Sequence, residues 1–152
     1  MTDTVAERGL PYIAMHMRAT PSTMQQHTGY DDVTETVKSY FATKTEELHN
    51  KGIRDIIIDP GFGFAKTTRQ NYQLMKRMNE LLSLGYPVLS GISRKSMIYK
   101  VLGGEPEGAL AGTTALNWES LRQGASILRV HDTGEAMDTI KIFNYYRRAN
   151  ER

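Results

Sequence analysis

Apolar positions along this chain follow two alternating rhythms. Short apolar runs occupy Leu10 to Arg18, Ile53 to Asp59, Tyr86 to Ile92 and Ala125 to Val130, and most of them give way to polar residues at their far end. Between the runs, apolar residues return every three or four positions, the spacing of a helix with one buried face. Such a helix is predicted after the cap candidates Asp31 and Asp32, with Val33, Val37, Tyr40, Phe41 and Leu48 inward and Gly52 as its stop. A second runs over 69–84, with Leu74, Met75, Met78, Leu81 and Leu82 inward and Gly85 closing it. A third stretch opens at Ser96, breaks at Gly103-Gly104 and Pro106, and resumes through the small residues of 108–115 to end near Gly124. Asp132 or Thr133 caps a last helix whose stripe is Met137, Ile140, Phe143 and Tyr146. Residues 1–9 read as the tail of a helix closed by Gly9, and 20–30 as loop.

Ile56-Ile57-Ile58 is β-branched throughout, as in a strand covered on both faces, and helices between successive strands make the sheet parallel. Strand and helix therefore alternate in four βα units with short connections, right-handed crossovers and no linker or low-complexity segment. The fold class is α/β. A closed eight-stranded (β/α)8 barrel takes ~250 residues, so 152 residues supply about half of one. The strands at Tyr12 and Ile127 are left as open edges, which invite pairing with a second chain.

Composition narrows the class of partner. With 39% hydrophobic and 24% charged residues, the chain is an ordinary globular domain able to bury a substantial core. A net charge of +2, with basic residues scattered, gives no footprint for nucleic acid. Cysteine is absent, which removes disulfides, thiolate metal sites and cysteine nucleophiles and fits a reducing compartment. No apolar stretch approaches the ~20 residues of a membrane span, and no basic-then-apolar leader pattern opens the chain. The expectation is a cytoplasmic protein with neither a membrane nor a nucleic-acid partner.

Candidate chemistry gathers where three runs end: Asp59-Pro60-Gly61-Phe62-Gly63-Phe64, Gly91-Ile92-Ser93-Arg94-Lys95-Ser96 and Arg129-Val130-His131-Asp132. Parallel α/β sheets bind ligands at the carboxyl ends of their strands, so Asp59, Lys95, Arg129 and His131 are expected to converge on one pocket. Side-chain alternation puts Asp59 with Ile57 on the face opposite Ile56 and Ile58, aimed into the barrel mouth. A carboxylate there can accept two parallel hydrogen bonds from an amidine-like edge, such as that of a pterin or guanine ring. Capping the turn before Pro60 is the other role open to it. Gly61 and Gly63 permit close backbone approach, and Phe62 and Phe64 offer flat apolar faces. The glycine spacing of a phosphate-cradling nucleotide loop is missing from Gly61 to Thr67. Around Lys95 and Ser96, backbone N–H groups at a helix start can hold a carboxylate or phosphate; a solvated basic turn capped by Ser96 is the alternative. Arg129 and His131 share one side while Val130 turns toward the helices. The guanidinium can stack on a flat ring or pair with phosphate, or else tie down the last helix through Asp132 or Glu135. His16 has no partner at metal-ligand spacing and reads as structural, and no zinc, calcium-loop or serine-triad pattern occurs.

Taken in order, Met15-His16-Met17-Arg18 with Thr20-Pro21, Asp59 to Phe64 with Lys66 and Asn71, Ser93-Arg94-Lys95-Ser96, Gly112-Thr113 and Arg129-Val130-His131-Asp132 resemble the dihydropteroate synthase family over nearly the whole chain. That family joins p-aminobenzoate to 6-hydroxymethyl-7,8-dihydropterin diphosphate on a (β/α)8 barrel, releasing diphosphate. The resemblance implies that Asp59 holds the amino-pyrimidine edge of the pterin, Lys95 bonds its ring oxygen and nitrogen, and Arg129 lies across its face, with Met15, Phe64 and Gly91 lining the pocket. It further implies that Ser96 receives the p-aminobenzoate carboxylate, with Phe64 and Arg94 nearby, and that Arg129 and His131 meet the diphosphate. Asp59, Lys95, Arg129 and His131 are then the catalytic set.

The family's first-strand Asn-Val-Thr-Pro-Asp-Ser-Phe-Ser, second-loop Glu-Ser-Thr-Arg-Pro-Gly, third-strand Asp and fourth-strand Asn have no counterpart here. The resemblance therefore implies strands five to eight of the barrel, one partial pterin-binding domain over 1–152, with Met1 as an internal or engineered start. Its magnesium ligands would lie in the missing half, giving no metal site in this chain, and turnover by the chain alone would be weak or nil. A homodimer is implied, through the helical surface around Ala109 to Trp118 or through the open strand edges. A pterin-dependent methyltransferase barrel is disfavoured by Ser93 to Ser96, and a non-catalytic half-barrel that serves only oligomerisation is the third reading.

Overall fold

A computed structural model describes residues 2–18 and 28–149. Met1, Thr20, Pro21 and the rest of the expected loop up to residue 27 lie outside the described residues. The elements are α1 (Thr2–Glu7), β1 (Tyr12–Met15), α2 (Val33–Asn50), β2 (Ile56–Asp59), α3 (Thr68–Lys76), a 3-10 helix (Met78–Leu84), β3 (Leu89–Ser90), α4 (Ser96–Leu102), a 3-10 turn (Pro106–Gly108), α5 (Leu110–Arg122), β4 (Ile127–Leu128) and α6 (Thr133–Arg148). Strands and helices alternate as the sequence predicts, and the strands are parallel. In β1 and β2, Met15 stands opposite Asp59. In β3 and β4, Leu89 stands opposite Ile127. One bridge, Ile58 to Val88, joins the two pairs, with the Ile58 amide donating to the Pro87 carbonyl at 3.0 Å.

The outward strand face makes the core. Ile56, Ile58 and Val88 pack with Val33, Val37, Phe41 and Leu48 of α2 and with Leu74 and Met75 of α3. Asp32 caps α2, its carboxylate accepting from the amides of Thr34 and Glu35 at 2.9 and 3.1 Å. The inward strand face is only partly covered: Ile13 is 52% exposed and Ile127 36%.

Four expectations need correction. The helix expected over 69–84 breaks at Arg77, whose backbone (φ −118°, ψ 16°) is not helical. Its guanidinium instead collects Asp32 and Glu80, each at 2.7 Å. The following 3-10 helix eclipses residues three apart, so Met78 and Leu81 stay buried together while Leu82 swings out to 42% exposure. Strands β3 and β4 are shorter than their apolar runs, because the chain leaves the ladder at Gly91 and Arg129 to build loops. Asp132 occupies the N-cap position of α6 without capping it, since Arg94 takes its carboxylate. The stripe of α6 is also shifted: Ala136 and Thr139 are buried, whereas Met137 and Tyr146 are mostly exposed. Helix α6 packs on α5, and Trp118 meets Phe143 edge-on at 5.2 Å between ring centroids.

Candidate functional site

Each functional side chain sits where a strand gives way to its loop. Asp59 ends β2 and is buried, and of the two roles left open to it the structure shows the turn cap. Its Oδ1 accepts the Gly61 amide at 2.8 Å, which closes the turn, and its Oδ2 faces the Arg129 guanidinium at 3.7 Å. Burial raises the Asp59 pKa, against the Gly61 amide and the charges of Lys95, Arg129 and Lys66. Gly61 is required here: it has φ +68°, and a Cβ on it would lie 2.0 Å from the His16 carbonyl oxygen. Met15, half-buried, neighbours Asp59 across the β1–β2 ladder.

Lys95 follows β3 and reaches back across the sheet. Its ammonium donates to the Phe62 carbonyl and sits 4.7 Å from the centre of the Phe64 ring, a cation–π contact. Burial lowers its pKa to about 8, opposed by Asp59 and helped by Arg129. Arg129 passes over Gly91 so closely that a Cβ there would lie 2.7 Å from its terminal nitrogen. The Ser93 hydroxyl accepts the His131 amide at 3.2 Å and lies 2.9 Å from His131 Nδ1, so that when it donates there Nε2 carries the ring proton. Gly91, Ser93, Lys95, Arg129 and His131 line one cleft of about 270 Å³. Val130, expected to turn toward the helices, lines it too, because strict alternation ends with β4 at Leu128.

Arg94 is committed elsewhere than the motif suggested, and Ser96 opens its helix without capping it. The Arg94 backbone has φ +54°, its amide donates to Thr113 Oγ1 at 3.1 Å, and its guanidinium is committed to Asp132. Asp132 thus pairs with Arg94 and not with Arg129. Ser96 is the first residue of α4 and half-buried; the N-cap is Lys95, so Ser96 is not a cap.

Sequence reasoning gave no role to the residues beneath the loop. Lys66 is buried, and its ammonium donates to the carbonyls of Gly61 and Phe64 at 2.9 and 3.1 Å and lies 3.1 Å from His16 Nδ1. Asn71 accepts the Gly63 amide at 2.7 Å and donates to the carbonyls of Lys66 and Thr67. Neither shows a periodicity that marks it; the family resemblance includes both without giving them a role, and a lysine beside a glycine-aromatic loop hints at burial. His16, read as structural, is buried with Lys66 and packs edge-on to Tyr40.

Three cations, Lys66, Lys95 and Arg129, surround the single carboxylate of Asp59. The site is thus electropositive, with one acceptor edge and one flat aromatic wall, which suits a planar hydrogen-bonding ring carrying an anionic group. Among the described residues no three His, Cys, Asp or Glu side chains converge as metal ligands.

Comparison with known proteins agrees with this arrangement. The family model for pterin-binding enzymes matches residues 1–131. The dihydropteroate synthase of Haemophilus influenzae is 39% identical over 143 residues, which are 93% of this chain and 52% of that protein. Among solved structures, dihydropteroate synthase from Thermus thermophilus in complex with 4-aminobenzoate superposes with TM-score 0.93 at 31% identity, over 96% of this chain and 60% of that one. The Yersinia pestis enzyme with a sulfonamide drug complex gives TM-score 0.93 at 36% identity, over 96% and 54%. The chain spans about half the length of the curated relatives it matches.

Proposed function

Because the chain belongs to the pterin-binding enzyme family, we propose that it carries the pterin and p-aminobenzoate side of a dihydropteroate synthase, which condenses p-aminobenzoate with 6-hydroxymethyl-7,8-dihydropterin diphosphate and releases diphosphate. The observation that carries this reading is that buried Asp59 of β2 faces Arg129 and feels the charge of Lys95, the two cations that line the cleft after β3 and β4. The Asp59 carboxylate accepts two N–H groups from the amino-pyrimidine edge, Lys95 turns from the Phe62 carbonyl to the pterin ring oxygen and nitrogen, and Arg129 covers the ring face. Met15, Phe64 and Gly91 bound the ring, and Ser96 receives the p-aminobenzoate carboxylate beside Phe64, with Arg94 near. Arg129 and the Nε2–H of His131 neutralise the departing diphosphate. The bond to diphosphate breaks first, the pterin methylene carries the positive charge, and the aniline nitrogen then attacks it. No side-chain nucleophile is needed, because the site works by positioning and charge neutralisation.

Magnesium is proposed for the complete enzyme. The described residues offer no carboxylate cluster that fits it, and no step here passes through it. The proposed setting is the cytoplasm, and no described helix is long and apolar enough to cross a membrane. The proposed assembly is a homodimer. Two faces suit it: the open β1 and β4 edges, with Ile13 and Ile127 beside them, and α6, which covers Trp118 and exposes Ile142 and Tyr145.

Calorimetric titration with a dihydropterin analogue, run beside Asp59→Asn, tests the reading. Asparagine keeps an oxygen for the Gly61 amide but loses the charge and one acceptor, about 3 kcal/mol of binding or roughly 100-fold in affinity. Equal binding by both proteins would remove Asp59 from the site, and no binding by the parent chain would confine the activity to a longer protein.

A further inference from the structure

Beneath the candidate site lies a buried group that the proposed chemistry does not use. Lys66 is 5% exposed and His16 2%, and both belong to the support of the loop over 60–66, not to the cleft. The Lys66 ammonium has three hydrogens and three acceptors in reach: Gly61 O at 2.9 Å, Phe64 O at 3.1 Å and His16 Nδ1 at 3.1 Å. Those carbonyls flank the two residues that shape the pocket wall, since Phe62 O accepts from Lys95 and the Phe64 ring faces the same ammonium. Gly61 also carries the amide that Asp59 binds. The loop is therefore fixed from below by Lys66 and from the side by Asn71.

We propose that Lys66 is a positioning residue which, with His16, keeps the Gly61–Phe64 loop in one place whether the amine holds three protons or two, because the His16 ring exchanges tautomer to match. With the amine charged, all three N–H groups donate and His16 accepts at Nδ1, its own proton on Nε2. With the amine neutral, two N–H groups still donate to Gly61 and Phe64, and the nitrogen lone pair accepts from Nδ1–H. One proton leaves for solvent and the ring proton moves from Nε2 to Nδ1, so the imidazole stays neutral throughout. The Lys66 nitrogen and His16 Nδ1 keep their three contacts in either state, which avoids leaving the buried amine or its carbonyl acceptors unsatisfied.

The surroundings favour this exchange near neutrality. Burial lowers Lys66 to about 7; Asp59 opposes that, while Lys95 and Arg18 add to it. Burial, Lys66 and Arg18 together hold His16 down at about 3, so its ring does not take the second proton. Tyr30 and Tyr40, whose rings lie 6.3 and 5.0 Å from His16, are raised by burial and stay neutral over the same range.

The effect on the pocket rests on the pterin-site reading above, whereas the exchange itself does not, so the two are tested separately. Nitrogen-15 NMR of the His16 ring between pH 5 and 10 is expected to show a neutral imidazole passing from the Nε2–H to the Nδ1–H tautomer, while the Gly63 and Phe64 amide shifts hold constant. A single tautomer over the whole range overturns the proposal. Lys66→Met is expected to speed amide exchange at Gly63 and Phe64 by about tenfold or more, with the α2 amides unchanged, and Lys66→Arg is expected to restore part of the protection. Unchanged exchange in Lys66→Met also overturns it. Tautomer exchange in a chain that binds no dihydropterin analogue would support the coupling and count against the pocket.

Discussion

At the scale of single residues, the site is built from close approaches that a methyl group would spoil. Gly91→Ala is expected to leave folding intact, since the atoms it meets belong to the mobile end of Arg129, but to push that guanidinium out of the cleft. Losing a cation over the ligand ring costs about 1 kcal/mol, five- to tenfold in affinity for a dihydropterin analogue, which calorimetry resolves. The His16–Lys66 pair sets an acid limit on stability. His16 titrates near 6.5 when unfolded and about 3 when folded, so between those values the unfolded chain binds the extra proton. Its stabilising contribution is complete above pH 6.5 and is lost as pH falls toward 3, on the order of 5 kcal/mol in all. Lys66, lowered from 10.5 to about 7, acts with the same sign at higher pH, stability rising across that window. Urea midpoints measured from pH 7 to 4 check the first slope, and His16→Gln, whose amide oxygen can still accept from Lys66, flattens it. The gathering of Asp59, Lys95, Arg129 and His131 at one end of the sheet was legible in the sequence because each follows an apolar run, and parallel strands bring their carboxyl ends together. Lys66 was not, because burial of a loop lysine depends on carbonyls whose direction only the folded backbone fixes.

Elements show the same division. The start of α2 was legible from Asp32 and its end from Gly52, since caps act within a few residues of themselves. The break at Arg77 was hidden, because it depends on Asp32 from another element. The missing cap on α6 has the same origin, with Asp132 drawn off by Arg94 of the loop after β3. Ala65 and Arg94, at φ +50° and +54°, place non-glycine residues in the left-handed region in both of the loops that follow β2 and β3. Such strain clusters where a backbone is held for a task. Gly61→Ala tests how firmly the first loop is held against β1: the added carbon meets the His16 backbone, which cannot swing aside while its amide donates to the Asp59 carbonyl at 2.9 Å. The expected loss is about 3 kcal/mol or more of unfolding free energy by urea denaturation.

On the scale of the whole molecule, the half-barrel was legible from the four-fold alternation of strand and helix, and the open inner face follows from it. Ile13→Lys puts a charge on that face and is expected to weaken self-association through the strand edges without lowering the unfolding midpoint, as light scattering beside thermal melts would show; association that is unaffected points to α6. The single bridge between Ile58 and Val88 has a further consequence. Met15, Asp59 and Phe64 ride on one leaf of the sheet, and Gly91, Lys95 and Arg129 on the other. The seam between the leaves is the weakest line in the strand layer, and it runs between Asp59 and Lys95. In the proposed binding mode a flat ring held by Asp59 on one side and Lys95 on the other would act as a rivet across that seam, so ligand binding is expected to raise the rigidity of the sheet.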